Sequence, residues 1–247
     1  MKIATWNVNG IRAREKQVCE FLEHESPDVL CLQELKATRE QVPAQCSLAG
    51  YDVYWHGERA YSGVSLHVRK GLFDVEPSMT HPYFDMETRI VQAACGDLVL
   101  ASVYVPNGGK SYPAKIEFLT QLAAWVKTLH AEGRELILCG DMNIARTEID
   151  VHPRENKPGV IGQRPEERVL FEDLISPHLV DVGRALDPDN DRMFTWWAPW
   201  RNMRARNIGW RLDYVLATHS IAARAQSCRV LAEFGTSDHA PVMMETT

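Results

Sequence analysis

The sequence predicts one α/β domain, sheets inside and helices outside. Three observations carry this expectation. Apolar runs too short for helices recur along the chain, amphipathic stretches lie between them, and no linker or composition break interrupts the 247 residues. The first run, residues 3–8 (IATWNV), starts the chain directly as a strand, and residues 11–24 follow as a short amphipathic helix. Residues 29–32 (VLCL), 64–68 (VSLHV) and 98–105 (LVLASVYV) are apolar on both faces, as in sheets covered on both sides. Residues 112–130 place Ile116, Leu119, Ala123 and Val126 on one helical face, with Ser111 as cap and Gly133 as stop. A strand at 136–139 (LILC), a helix at 165–176 opened by Pro165, and strands at 214–217 (YVLA) and 240–244 (APVMM) complete the set. The polar stretch 150–164 carries two prolines and is expected to be a functional or mobile loop. A second, turn-rich connection is expected at 187–193.

Composition sets bounds on function. Apolar content of 45% and charged content of 24% are those of an ordinary soluble domain. No window approaches the ~20 apolar residues a membrane span requires. The six cysteines include no C-x-x-C pair, and Cys31 and Cys139 sit inside apolar runs, so reduced thiols and a cytoplasmic location are expected. A net charge of −6 does not advertise a nucleic-acid binder, although a local basic stripe can still hold phosphates.

Chemistry collects at the ends of the apolar runs. The first ends in Asn7 and Asn9, the second in Gln33-Glu34. The run carrying Tyr104 leads into Pro106-Asn107-Gly108-Gly109. Residues 136–139 lead into Gly140-Asp141-Met142-Asn143, and the last strand is preceded by Ser237-Asp238-His239. Each has a plain structural reading. Asn9 and Asn107 suit turns, Glu34 and Asp141 suit helix entries or caps, Asp238-His239 suits a surface pair, and Tyr104 suits a core. Gathered on one rim, they would form a pocket of oxygen ligands with a single imidazole. Such a pocket suits Mg²⁺, with Mn²⁺ as substitute, rather than zinc. Asp141 and Asn143 could position and deprotonate a water, while Tyr104, Asn7 and His239 donate to phosphate oxygens and Asp213 holds the imidazole tautomer. No Ser or Cys nucleophile motif and no Gly-rich phosphate loop is present. Hydrolysis of a phosphate ester by an activated water is the chemistry these residues permit.

WNVNGIR, LCLQELK, YVPNGG, GDMNIA, GWRLDY and TSDHAP stand in this order between residues 6 and 241. Together they resemble the exonuclease III family of apurinic/apyrimidinic endonucleases, within the endonuclease/exonuclease/phosphatase superfamily. The resemblance implies a four-layered α/β sandwich, with two mixed sheets packed face to face, helices outside, and the site at one rim. It implies Glu34 as principal metal ligand with Asn7, Asn9 and Asp238 nearby, and Asp141, supported by Asn143, as the residue that orients or activates water. It further implies Tyr104 and His239 as phosphate contacts with Asp213 behind His239, and Trp210, Leu212 and Trp196 as walls for an abasic sugar. No role is carried onto the 150–164 loop.

The scaffold serves several substrates. A DNA-repair nuclease is one reading, with double-stranded DNA bearing abasic sites or 3′ ends as partner, no membrane, and a monomer. A phosphatase or phosphodiesterase acting on inositol phosphates or lipids is another; a binding module that lost catalysis is a third, disfavoured by the complete set of candidate residues. The stretch 196–211 favours the nuclease: Trp196, Trp197, Trp200 and Trp210 interleave with Arg201, Arg204, Arg206 and Arg211, without an acid. Trp197 is expected in the core; Arg201, Arg204 and Arg206, with Asn107, are expected on DNA.

Overall fold

The computed structural model describes residues 1–46, 50–58 and 60–247. Its strands are β1 (Lys2–Asn7), β2 (Val29–Gln33), β3 (Tyr51–His56), β4 (Val64–Arg69), β5 (Ser78–Thr80), β6 (Ile90–Cys95), β7 (Leu98–Tyr104), β8 (Glu135–Asp141), β9 (Leu179–Asp181), β10 (Asp213–Thr218), β11 (Ala225–Val230) and β12 (Val242–Thr246). Helices are α1 (Ile11–Glu25), α2 (Tyr112–Ala131), α3 (Pro165–Ile175), α4 (Val182–Leu186) and α5 (His219–Ala222). One six-stranded sheet runs β11-β12-β1-β2-β4-β3 and the other β5-β6-β7-β8-β10-β9. Both are mixed: β1–β2 and β7–β8 pair in parallel, and the remaining neighbours are antiparallel.

The layers follow from which faces are apolar. Between the sheets, Ile3, Cys31 and Leu66 of one meet Leu100, Ile137 and Val215 of the other. Behind the first sheet, α1 lays Val18, Phe21 and Leu22 on Trp6, Leu30 and Met243. Behind the second, α2 and α3 lay Phe118, Leu122, Phe171 and Leu174 on Val103, Leu138 and Leu216. This is the expected four-layered sandwich. Ser111 caps α2 as expected, its side chain accepting from the Ala114 amide. All seven apolar runs are strands, but β3, β5, β9 and β11, the four sheet edges, lay outside the expectation, as did β6. An edge strand has one neighbour and half-exposed faces, so it carries no continuous apolar run.

Gly140 shows how closely the strands approach beside the site. A Cβ there would stand 1.9 Å from the Val103 carbonyl, so only glycine lets β8 lie against β7 immediately before Asp141. Among the described residues no helix is long and apolar enough to cross a membrane.

His67 on β4 is fully buried with the Trp55 ring 4.7 Å away, edge to face. Among the described residues neither ring nitrogen has a well-formed hydrogen bond; the Cys46 and Leu30 carbonyls give only weak support. Burial therefore pushes the imidazole down to about 4. The unfolded chain takes up this proton near the ordinary value of 6.5 and the native state resists it down to about 4. The native state thus loses stability as pH falls through this window, by up to about 3 kcal/mol from this residue. Urea melts of wild type and His67→Leu between pH 7 and pH 4 should show the variant losing that much less; parallel losses would refute the assignment.

Candidate active site

Four strand ends meet at one rim because both parallel pairs point the same way. Asn7 ends β1 and Gln33-Glu34 follow β2; Tyr104 ends β7 and Asp141 ends β8. Antiparallel β10 begins at Asp213, in register with Asp141. The Ser237-Asp238-His239 turn is fastened onto β1 by Ser237 Oγ donating to the Asn7 carbonyl (2.7 Å) and Trp6 Nε1 donating to the His239 carbonyl (3.2 Å).

Asn7 is fully buried at the centre. Its amide nitrogen donates to Glu34 Oε1 (3.0 Å) and Asp141 Oδ2 (2.9 Å), and its Oδ1 accepts from the Asn9 amide (3.0 Å). Asn143 donates from its backbone to Asp141 Oδ1 (2.9 Å) and from Nδ2 to the Val105 carbonyl (2.9 Å). Asn9, Glu34, Lys36 and Asn143 all have φ near +50°, a left-handed conformation that non-glycine residues adopt at a cost. The surrounding bonds enforce it: Gly10 and Ile11 amides donate to the Glu34 and Leu35 carbonyls, and Leu35 and Lys36 amides donate to those of Gly63 and Ser62.

His239 Nδ1 donates to Asp213 Oδ2 (2.8 Å), while Nε2 faces Asp141 Oδ2 at 3.7 Å. Burial opposes its charge, but Asp213, Asp141 and Asp238 outweigh that and push it up to about 10, favouring the protonated ring. Burial pushes Asp141 up to about 7, with His239 pulling the other way. Burial also opposes ionisation of Glu34, yet hydrogen bonds from Asn7 and Lys36 and the Lys36 charge hold it below the usual carboxylate range. Burial, with Glu34 and Asp141 nearby, keeps the Tyr104 phenol protonated far above neutrality, so it can donate.

Among the described residues Glu34, Asp141 and His239 each offer a ligand atom within 4.8 Å of the others. The two carboxylates with the neighbouring Asn7 amide make a hard oxygen set that fits a divalent cation such as Mg²⁺. The other expected ligands stand around this group. Asp238 lies outside the cluster; its carboxylate accepts from Asn9 Nδ2 (2.7 Å) and Trp196 Nε1 (3.0 Å). The amide oxygens of Asn7 and Asn9 are also engaged, the latter by Lys36 Nζ (2.6 Å). Lys36, which also pairs with Glu34 Oε2 at 2.6 Å, was missed, although it stands two residues beyond Glu34 in LQELK. So was fully buried Lys115, which pairs with Glu167 (2.5 Å) and donates to the Asn143 carbonyl (2.8 Å). Arg89, also missed, lies 4.7 Å over the Tyr104 ring.

The aromatic strip divides. Trp196 and Trp210 form a partly exposed edge-to-face pair, centroids 5.6 Å apart, with Trp196 6.5 Å from the His239 ring. Leu212 is buried beside them in sequence, and Trp197 is core as expected. Trp200 is 60% exposed, and Arg201 and Arg206 are exposed. Two arginines contradict the expectation of a basic strip. Arg204 stacks on Trp197 and donates to the carbonyls of Ala232, Phe234, Gly235 and Ser237; Arg211 is buried against Asp150 and Asp181. Exposed Asn107 forms a turn, accepting from the Gly109 amide. The 150–164 loop runs behind Trp210: Val151 bridges to it, and the ring packs on Gly162.

Comparison with known proteins places this geometry. The model of the Endonuclease/Exonuclease/phosphatase family matches residues 4–239. An exodeoxyribonuclease of Bacillus subtilis is 31% identical, with 98% of each chain covered. Recombination repair protein 1 of Drosophila melanogaster is 33% identical over 98% of this chain, which spans only 36% of that protein. Among solved structures, an AP endonuclease from Archaeoglobus fulgidus superposes with a TM-score of 0.89 at 28% identity, covering 100% of this chain and 99% of the other. A 3′ phosphatase from Neisseria bound to product DNA hairpin gives 0.90 at 29%, with the same coverage.

The division of the arginines is testable. Arg204→Ala should lower unfolding free energy by about 2 kcal/mol, since it strips a charged donor from several carbonyls. Arg206→Ala should stay within about 0.5 kcal/mol. Equal effects in urea melts would refute the distinction.

Proposed function

The chain belongs to the Endonuclease/Exonuclease/phosphatase family, and from that premise we propose that it is a DNA-repair nuclease. The proposed main reaction is hydrolysis of the phosphodiester 5′ to an abasic site, with 3′–5′ exonuclease and 3′-phosphatase activity at the same site. One observation carries this reading. The Asp213–His239–Asp141 group opens beside the Trp196–Trp210 pair, so phosphate chemistry and an aromatic wall are neighbours.

In the proposed mechanism Asp141 accepts the proton of the attacking water, oriented by Asn143. The His239 imidazolium and the Tyr104 phenol donate to phosphate oxygens as charge develops there. Asp213 holds the imidazole with Nε2 toward the substrate. Glu34 and Asp141, with Asn7 beside them, would hold a divalent ion, Mg²⁺ in the first instance, which supplies charge neutralisation and stabilises the leaving oxygen. Trp210, Leu212 and Trp196 would wall a pocket for the extruded sugar, whose missing base makes extrusion cheap. Arg201 and Arg206, exposed on the strip, would contact phosphates.

Duplexes carrying an abasic analogue, a 3′-phosphate or an intact 3′ end, assayed with Mg²⁺ and with EDTA, test the reading. Abasic cleavage that disappears in EDTA is expected; inertness on all three, with turnover of inositol phosphates instead, would overturn it. Asp141→Asn should reduce turnover by ~10³-fold or more, and near-normal turnover would remove Asp141 from the water-activating role. Trp210→Ala should lose abasic cleavage while keeping the fold, seen as a cooperative melt; an unchanged rate would remove Trp210 from the pocket.

A further inference from the structure

Arg211 stands between the proposed pocket wall, Trp210, and the carboxylate behind the imidazole, Asp213. It is almost fully buried, and every arm of its guanidinium is committed. Nε donates to Asp150 Oδ1 (2.7 Å), and the two terminal nitrogens grip Asp181 bidentately (2.9 and 2.6 Å). Arg184 joins from the outside onto Asp150 (2.6 Å) and Arg146 onto Asp181 (3.3 Å).

The backbone is tied into the same frame. The Arg211 amide donates to the Asp150 carbonyl (2.8 Å), and the His152 amide to that of Gly209 (2.9 Å). Tyr214 shares its hydroxyl proton between the carbonyls of Arg211 (3.0 Å) and Ile144 (2.8 Å) and accepts from the Arg146 amide (3.1 Å). Thr195 Oγ1 accepts from both Leu212 and Asp213 amides (2.9 and 3.0 Å), and the Met142 amide donates to the Leu212 carbonyl (2.8 Å). One ionic cluster therefore couples the segment after Asp141, the loop behind Trp210, and the strand carrying Asp213.

We infer that Arg211 is a positioning residue: its fork on Asp150 and Asp181 holds Trp210 and Asp213 in one fixed relation. A buried ion pair is weak evidence for stability, because apolar residues of similar volume often serve as well. What the fork adds is direction, since a planar bidentate pair tolerates little rotation, and a lysine in its place keeps the charge but not the geometry. The inference rests on the proposed roles of Trp210 and His239, and its test separates the two.

In Arg211→Lys, melting should remain cooperative while kcat on abasic duplex falls ~10-fold or more, as expected for ångström-scale misplacement. Abasic cleavage should fall further than 3′-phosphate removal, because only the former also uses Trp210. The downfield proton resonance of the His239–Asp213 hydrogen bond should shift or broaden. A folded Arg211→Lys with wild-type kcat on both substrates and an unchanged resonance overturns the inference. Should that variant not fold, Tyr214→Phe removes only the shared hydroxyl; the same effects are expected at about 3-fold, and their absence likewise overturns it. Wild-type inertness on abasic duplex would sink the nuclease reading, leaving the resonance to judge Arg211.

Discussion

Glu34, Asp141 and Asp213 converge at the rim between two sheets, where water screens them little, and the His239 imidazole standing among them makes that convergence tolerable. Asp213 binds it directly and Asp141 faces it from the other side. Each carboxylate alone would be costly to bury, and so would a charged imidazole; the attraction between them offsets part of that cost, though burial still pushes Asp141 up to about 7. The remaining polar groups divide this charge rather than add to it. Asn7 stands as a neutral donor between Glu34 and Asp141, and Lys36 balances Glu34 from the solvent side.

That arrangement requires the strand ends to meet, and the topology supplies this twice. The units β1-α1-β2 and β7-α2-β8 each make a parallel pair with a helix across the outer face. Packed face to face, the two units bring four carboxyl-terminal strand ends to one rim, the place where open α/β sheets ordinarily bind ligands. The antiparallel strands β10 and β12 then enter from the same rim and deliver Asp213 and His239.

How much of this was legible depends on what a residue needs to declare itself. Central strands other than β6 did, because both faces are covered. β6 did not, because Gln92 breaks its apolar run, and neither did edge strands, because only their pairing marks them. The catalytic candidates were legible as polar residues stranded at the ends of apolar runs, and the structure gathers Asn7, Glu34, Tyr104, Asp141, Asn143, Asp213 and His239 at one rim. The arginines were not. In a one-dimensional strip, Arg201 and Arg206 look the same as Arg204 and Arg211, yet the latter two are consumed by carbonyls and by carboxylates from distant segments. Lys115 was hidden for the same reason, since Glu167 and Asn143 lie far along the chain; Arg89 pairs locally with Glu87, and only the fold lays it over the Tyr104 ring. Gly162 and Ile161, which place the 150–164 loop against Trp210 and Gly108, carry no sequence signal beyond a glycine.

The adjacency of Trp210 and Asp213 poses a geometric problem, since a regular strand would turn Leu212 and Asp213 to opposite faces. The chain solves it by not being a regular strand there. β10 begins only at Asp213, and before it the Trp210 carbonyl accepts from two successive amides, those of Thr195 and Trp196 (2.9 Å each). Two residues oppose one, the arrangement by which a bulge re-aims side chains next to a site. Gly209 permits it: a Cβ there would stand 2.4 Å from the Trp196 carbonyl. Arg211 donates its amide to the Asp150 carbonyl and Thr195 receives the next two amides on its hydroxyl, so the irregularity leaves no backbone amide unpaired between Trp210 and Asp213. The Trp210 ring and the Asp213 carboxylate can therefore sit three residues apart and still face different surroundings, because every backbone amide of the bend between them is hydrogen-bonded.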